Sequence, residues 1–201
     1  RMADRYTYIP LTGLFLMVAW AVPDLLRGVR HRTAVLAVAG GVVISVMAMA
    51  TWRQLGYWRD DISLYEHTLA VTENNYIILN NYGIALADRG DVDGAIRAYR
   101  EALRIWPKAS AAHVNLGAAL ANQGKFEEAI DHYTEALRLE PDYAIAWSNL
   151  GRASAGLGRT NYAIACYQEA LRFDPLLADA RLNLAILLLK TGSASQAMQH
   201  Y

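Results

Sequence analysis

The second half of this chain repeats itself every 34 residues, and few folds accommodate such a pattern. With Tyr76, Ser110, Ala144 and Ala178 as first positions, the eighth residue of each unit is Gly83, Gly117, Gly151 or Ala185. The fifteenth is glycine in all four (Gly90, Gly124, Gly158, Gly192), and the twentieth is alanine (Ala95, Ala129, Ala163, Ala197). Tyrosine fills the twenty-fourth position (Tyr99, Tyr133, Tyr167, Tyr201), alanine the twenty-seventh (Ala102, Ala136, Ala170) and proline the thirty-second (Pro107, Pro141, Pro175). A unit of this length is one supersecondary element that cannot bury its apolar face alone, so neighbours must stack into a continuous core. The expected units are 76–109, 110–143, 144–177 and 178–201, the last incomplete.

Each recurring residue has a physical task in a pair of antiparallel helices. Small residues at positions 8, 20 and 27 let the helices approach closely. The tyrosine at position 24 and a leucine at position 7 (Leu116, Leu150, Leu184; Tyr82 in the first unit) fill the space between them. Glycine at position 15 supplies the positive φ that ends helix A. Proline cannot continue helix B and disfavours helical geometry just before it. In the fourth unit Ser193 to Gln196 reads as a capping box that opens helix B. The pattern resembles the tetratricopeptide repeat (TPR), which implies an all-α, right-handed superhelix. Run backwards, the same register places Tyr65 at position 24 and Asp61 at position 20. Residues 57–75 are therefore expected to hold a linker and a lone helix B, a half repeat that caps the superhelix.

Residues 1–56 are of another kind. The stretches 6–23 and 33–52 carry no charge, and each approaches the ~20 apolar residues that cross a bilayer as a helix. Two transmembrane helices, about 6–26 and 33–53, are expected, with Tyr6, Tyr8, Trp20 and Trp52 as interfacial aromatics. This segment holds six arginines against Asp4 and Asp24, while the remainder is mildly acidic, a balance that argues against a nucleic-acid binder. Arg27, Arg30 and Arg32 lie between the spans, which puts that loop in the cytoplasm and the repeats on the outer side, the periplasm or an equivalent lumen. The chain opens at Arg1 without a signal peptide and stops at Tyr201 within a repeat, so further sequence is expected at both ends.

Candidate binding residues follow from the period. Position 6 is asparagine in every unit: Asn81, Asn115, Asn149 and Asn183. Helix A lines the inner surface of a TPR superhelix, so these amides are expected to form a row along a groove. A carboxamide offers one acceptor and two donors, which suits the backbone of an extended peptide. The row resembles the asparagine ladder in the repeat domain of O-GlcNAc transferase; bonding within the repeats is the alternative. His113 and His132 lack the further ligands of a metal site and read as structural. Cys166 reads as a small buried hydrophobe rather than a nucleophile. Gly151 to Gly156 misses the nucleophile-elbow spacing by one residue, and no phosphate-cradling or dinucleotide glycine motif is present. No catalytic residue, metal or cofactor is expected within residues 57–201.

Ala3 to Pro10 before the first span, Gly56-Tyr-Trp-Arg59 after the second, and the following Leu64 to His67 and Thr72 to Asn75 resemble the C-terminal part of bacterial membrane proteins similar to the TMTC family, the transmembrane and TPR-containing O-mannosyltransferases. The resemblance implies a multi-pass inner-membrane glycosyltransferase that uses a polyprenyl-phosphate-linked sugar, with its repeats outside and its acidic catalytic motif upstream of this chain. It also implies that Arg5, in the Asp4-Arg5-Tyr6 motif, contacts a lipid phosphate, with interfacial anchoring as the alternative. The expected occupant of the groove is an acceptor polypeptide. A different class, a non-enzymatic membrane-anchored scaffold for envelope or secretion complexes, accounts for the same features.

Overall fold

The computed structural model describes residues 28, 31–57 and 60–192, and it divides into two compact units, residues 1–56 and 57–201. The described part of the first unit is essentially one helix, α1 (Arg32–Tyr57). It is long and apolar enough to cross a membrane: an 18-residue window of Arg32–Gly56 has a mean hydropathy of 2.2, and none of that window is buried. Ser45, within it, donates its hydroxyl to the Gly41 carbonyl at 2.8 Å, so its polar group is satisfied inside the helix. The expected span 6–26 lies outside the described residues.

The second unit is helical throughout its described residues. A lone helix, α2 (Asp61–Val71), is followed by α3 (Tyr76–Asp88), α4 (Val92–Ile105), α5 (Ser110–Asn122), α6 (Phe126–Leu139), α7 (Ala144–Gly156), α8 (Thr160–Phe173) and α9 (Ala178–Lys190). Helices α3, α5, α7 and α9 occupy the first half of each 34-residue unit, and α4, α6 and α8 the second. Helices α3, α5 and α7 each pack against the second helix of their own unit, α4, α6 and α8 each pack against the first helix of the next, and α2 packs on α3 in the manner of α4 on α5.

The corners form as the glycine spacing demands. Gly90, Gly124, Gly158 and Gly192 have φ of 86°, 76°, 74° and 81°, where a side chain would be strained. At three of them the next residue's N–H reaches back five residues, as in Asp91 to the Leu86 carbonyl at 2.9 Å, the hydrogen bond of a Schellman cap. Asp60, Asn75 and Asp91 cap the starts of α2, α3 and α4 with side-chain oxygens. The capping box expected at 193–196 lies outside the described residues.

Packing explains the small residues. A Cβ on Gly117 would lie 2.6 Å from Cε1 of Tyr133, and one on Gly151 would lie 2.9 Å from Cε1 of Tyr167. Position 8 is therefore glycine because the ring from position 24 lies flat on the backbone there. Leu116, Leu150 and Leu184 are fully buried beside these rings, as are Ala129, Ala136, Ala163 and Ala170. Trp147 packs against both of the apolar clusters that make up the core and so joins the earlier units to the last.

Candidate functional site

Successive first helices touch one another directly, α3 with α5, α5 with α7 and α7 with α9, while no comparable contact joins α4 to α6 or α6 to α8. The first helices therefore lie on the inner side of the stack, and side chains between them face a shared groove. All four asparagines of the expected row are half-buried. Asn115 donates Nδ2–H to Oδ1 of Asn80 at 2.9 Å, and Asn80 in turn approaches Oδ1 of Asn81 at 3.5 Å. The first half of the row is thus partly committed to holding α3 against α5. Asn149 and Asn183 have no hydrogen-bond partner among the described residues. Bonding within the repeats thus accounts for Asn115, while the side chains of Asn149 and Asn183 make no such bond.

Between α3 and α5 lies a cleft of about 200 Å³. Ile84, Val92 and Ala118 supply apolar wall, and Asp88, Asn115 and Asn122 supply polar groups. Tyr99, only 3% exposed, forms its floor. Burial, with the nearby Asp88 carboxylate adding to it, pushes the Tyr99 hydroxyl up to about 12, so it stays protonated at any physiological pH.

Three side chains at position 4 share a task that the period alone does not reveal. His113 Nε2 lies 3.1 Å from the Pro107 carbonyl, Trp147 Nε1–H donates to the Pro141 carbonyl at 2.9 Å, and Arg181 donates to the Pro175 carbonyl. Each bond closes the seam between one unit and the next. The sequence signal was present: His, Trp and Arg differ in size and charge but each carries an N–H at that reach, whereas Leu79 in the first unit has none. His113 also meets His132, Nδ1 to Nδ1 at 3.1 Å, with ring centroids 5.3 Å apart. Because a carbonyl only accepts, His113 carries its proton on Nε2, and His132 must donate from Nδ1. Burial, then His113 and Arg100, hold His132 below the ordinary histidine range.

Two of the remaining candidates are buried side chains. Cys166 is buried, and burial pushes its thiol up to about 11, away from the thiolate a nucleophile needs. Ser154 is buried and donates to the Leu150 carbonyl of its own helix at 2.7 Å. No group of three His, Cys, Asp or Glu side chains among the described residues can hold a metal. Arg5 lies outside the described residues.

Residues 58–110, 81–144, 114–175 and 154–201 each match the family model described as tetratricopeptide repeat. The chain belongs to the tetratricopeptide-repeat family. Among TPR proteins it is similar to Protein O-mannosyl-transferase Tmtc2 of Drosophila melanogaster, 29% identical over 114 residues. That match covers 57% of this chain but 12% of the relative, so the chain spans a small part of that protein's length. The fold is that of MamA, with a TM-score of 0.64, 24% identity and coverage of 74% of this chain and 86% of that one. It is also that of the first TPR of Spaghetti bound to an HSP90 peptide, with a TM-score of 0.58, 23% identity and coverage of 61% and 97%. TPR units of this kind are protein-interaction domains.

Proposed function

We propose that this chain is a membrane-tethered TPR module whose groove takes an extended polypeptide, and that it forms the C-terminal part of a polyprenyl-phosphate-sugar-dependent protein glycosyltransferase. The observation that carries the groove is the row of half-buried amides on the inner helices, with Asn149 and Asn183 lacking any partner in the described protein. A half-buried amide without a partner favours a ligand that restores its hydrogen bonds. The relative Tmtc2, a protein O-mannosyl-transferase, supports the enzymatic context. In that context the repeats present an acceptor chain to an active site elsewhere in the protein, and α1 supplies the tether. The arginine-rich stretch around Arg27 and Arg30 favours repeats on the periplasmic side of a bacterial inner membrane. Residues 60–71 then act as a terminal helix B, held by Tyr82 donating to Glu66 at 3.1 Å and by Arg89 beside Asp60 at 3.3 Å.

Asn149 is the clean test, since Asn115 also holds two helices together. Peptide titration on the full chain in nanodiscs is expected to show Asn149→Ala weakening binding about fivefold to tenfold, the scale of one to two hydrogen bonds, with unchanged Tm. Unaltered affinity would remove the amide row from the binding surface. Sequence upstream of Arg1 that lacked further spans and a paired-acid motif in an outer loop would leave a membrane-anchored scaffold instead.

A further inference from the structure

The polar groups around the cleft between α3 and α5 offer more acceptors than donors. Asp88 makes no hydrogen bond or ion pair with any described residue, nor does Asn122. Asn115 has given a donor to Asn80, which leaves its Oδ1 acceptor available. Tyr99 is almost wholly buried, lines the cleft, and has no hydrogen-bond partner for its hydroxyl among the described residues. A carboxylate, two carboxamide oxygens and a phenol oxygen thus border one small cleft, with Ile84, Val92 and Ala118 as apolar wall. That arrangement has an excess of acceptors and one uncompensated negative charge.

We propose that this cleft is a side-chain pocket of the groove and takes a lysine of the bound polypeptide, a reading that rests on the polypeptide groove proposed above. The four-carbon stem lies along Ile84, Val92 and Ala118, burying methylenes while the head stays polar. The ammonium has three donors and no acceptor, and it donates to the Asp88 carboxylate, the Tyr99 hydroxyl oxygen and Asn115 Oδ1. A glutamate there meets Asp88 as a like charge, and a norleucine leaves every acceptor unmet. The third unit differs at the corresponding place: Arg152, exposed, stands where Ala118 and Ile84 stand in the first two. The pocket therefore fixes both the chemistry and the position of one residue of the ligand.

The test is fluorescence-anisotropy titration of the full chain in nanodiscs with short extended peptides of Ala, Ser and Thr carrying one central lysine, norleucine or glutamate. The lysine peptide is expected to bind roughly tenfold more tightly than the norleucine peptide, the scale of one charge-assisted hydrogen bond, with the advantage shrinking as salt rises. Asp88→Asn, at an exposed helix end, is expected to abolish that advantage with Tm unchanged. Equal affinity for the lysine and norleucine peptides, or an advantage that survives Asp88→Asn, overturns the lysine pocket alone. If no peptide binds, the polypeptide groove fails and the pocket falls with it.

Discussion

The indole Nε1–H of Trp147 donates to the carbonyl of Pro141 at 2.9 Å, tying the start of α7 to the end of the unit before it. Trp147 also spans the two core clusters, so its bond and its ring can be separated by substitution. Trp147→Phe keeps an aromatic ring and loses the donor, and is expected to cost about 0.5–1 kcal/mol in urea denaturation. Trp147→Ala removes the packing as well and is expected to cost about 2–4 kcal/mol. Equal losses for the two variants would mean that the hydrogen bond contributes nothing.

Gly117→Ala places a methyl against the buried ring of Tyr133, which has nowhere to move. Overpacking at such a site costs about 1–3 kcal/mol. The Tyr133 hydroxyl is itself buried and makes no hydrogen bond of ordinary geometry, although the Arg152 guanidinium lies near enough to act on it. Tyr133→Phe therefore removes a desolvated polar group and is expected to leave stability unchanged or raise it by about 1 kcal/mol. Thermal melts of both variants check the pair. A large loss for the phenylalanine variant would show that the hydroxyl is held after all.

The histidine pair makes stability depend on pH in one direction. His132 faces His113 and Arg100, which disfavour its charge, and Asp131 and Glu128, which favour it; burial tips the balance toward the neutral ring. Its folded pKa lies below the ordinary value of 6.5, so its contribution is complete above about pH 6.5 and is lost as pH falls through the folded value. Denaturation midpoints at pH 7.5 and 5.5 are expected to differ, with the lower pH less stable. His132→Asn, which keeps a donor near the same place, is expected to flatten that difference. A wild-type midpoint that does not move over this range contradicts a lowered pKa for His132.

Cys166 is buried among the helices of the third unit with its thiol pushed up to about 11. Reaction with a thiol reagent at pH 8 is expected to be slow in the folded chain and to reach the rate of an ordinary cysteine only in denaturant. Rapid labelling without denaturant would place the residue at an accessible surface.

How far the sequence reached depended on whether a residue's task repeats. Gly90, Gly124, Gly158 and the position-24 tyrosines do the same work in each unit, so the period alone assigned corners and core. Asn81, Asn115, Asn149 and Asn183 repeat as letters but not as contacts, because the residue at position 5 changes. Asn80 offers an amide oxygen to Asn115, whereas Val114 and Ser148 are buried and give Asn149 and Asn183 no such bond. The donors to the proline carbonyls were hidden for the opposite reason: His113, Trp147 and Arg181 share a contact but not a letter. The cleft above Tyr99 was equally hidden, since it needs Asp88 and Asn122 from different units brought side by side.

Each of the three seams between units is closed on a proline carbonyl, and each first helix ends on a left-handed glycine, so the units are built to one plan. An imidazole, an indole and a guanidinium each supply the donor at the junction, so that one bond asks of the side chain only an N–H in the right place. That bond can therefore persist while the side chain that makes it changes. The reach of such a chain grows in whole steps, and the side chains lining each step can diverge on their own.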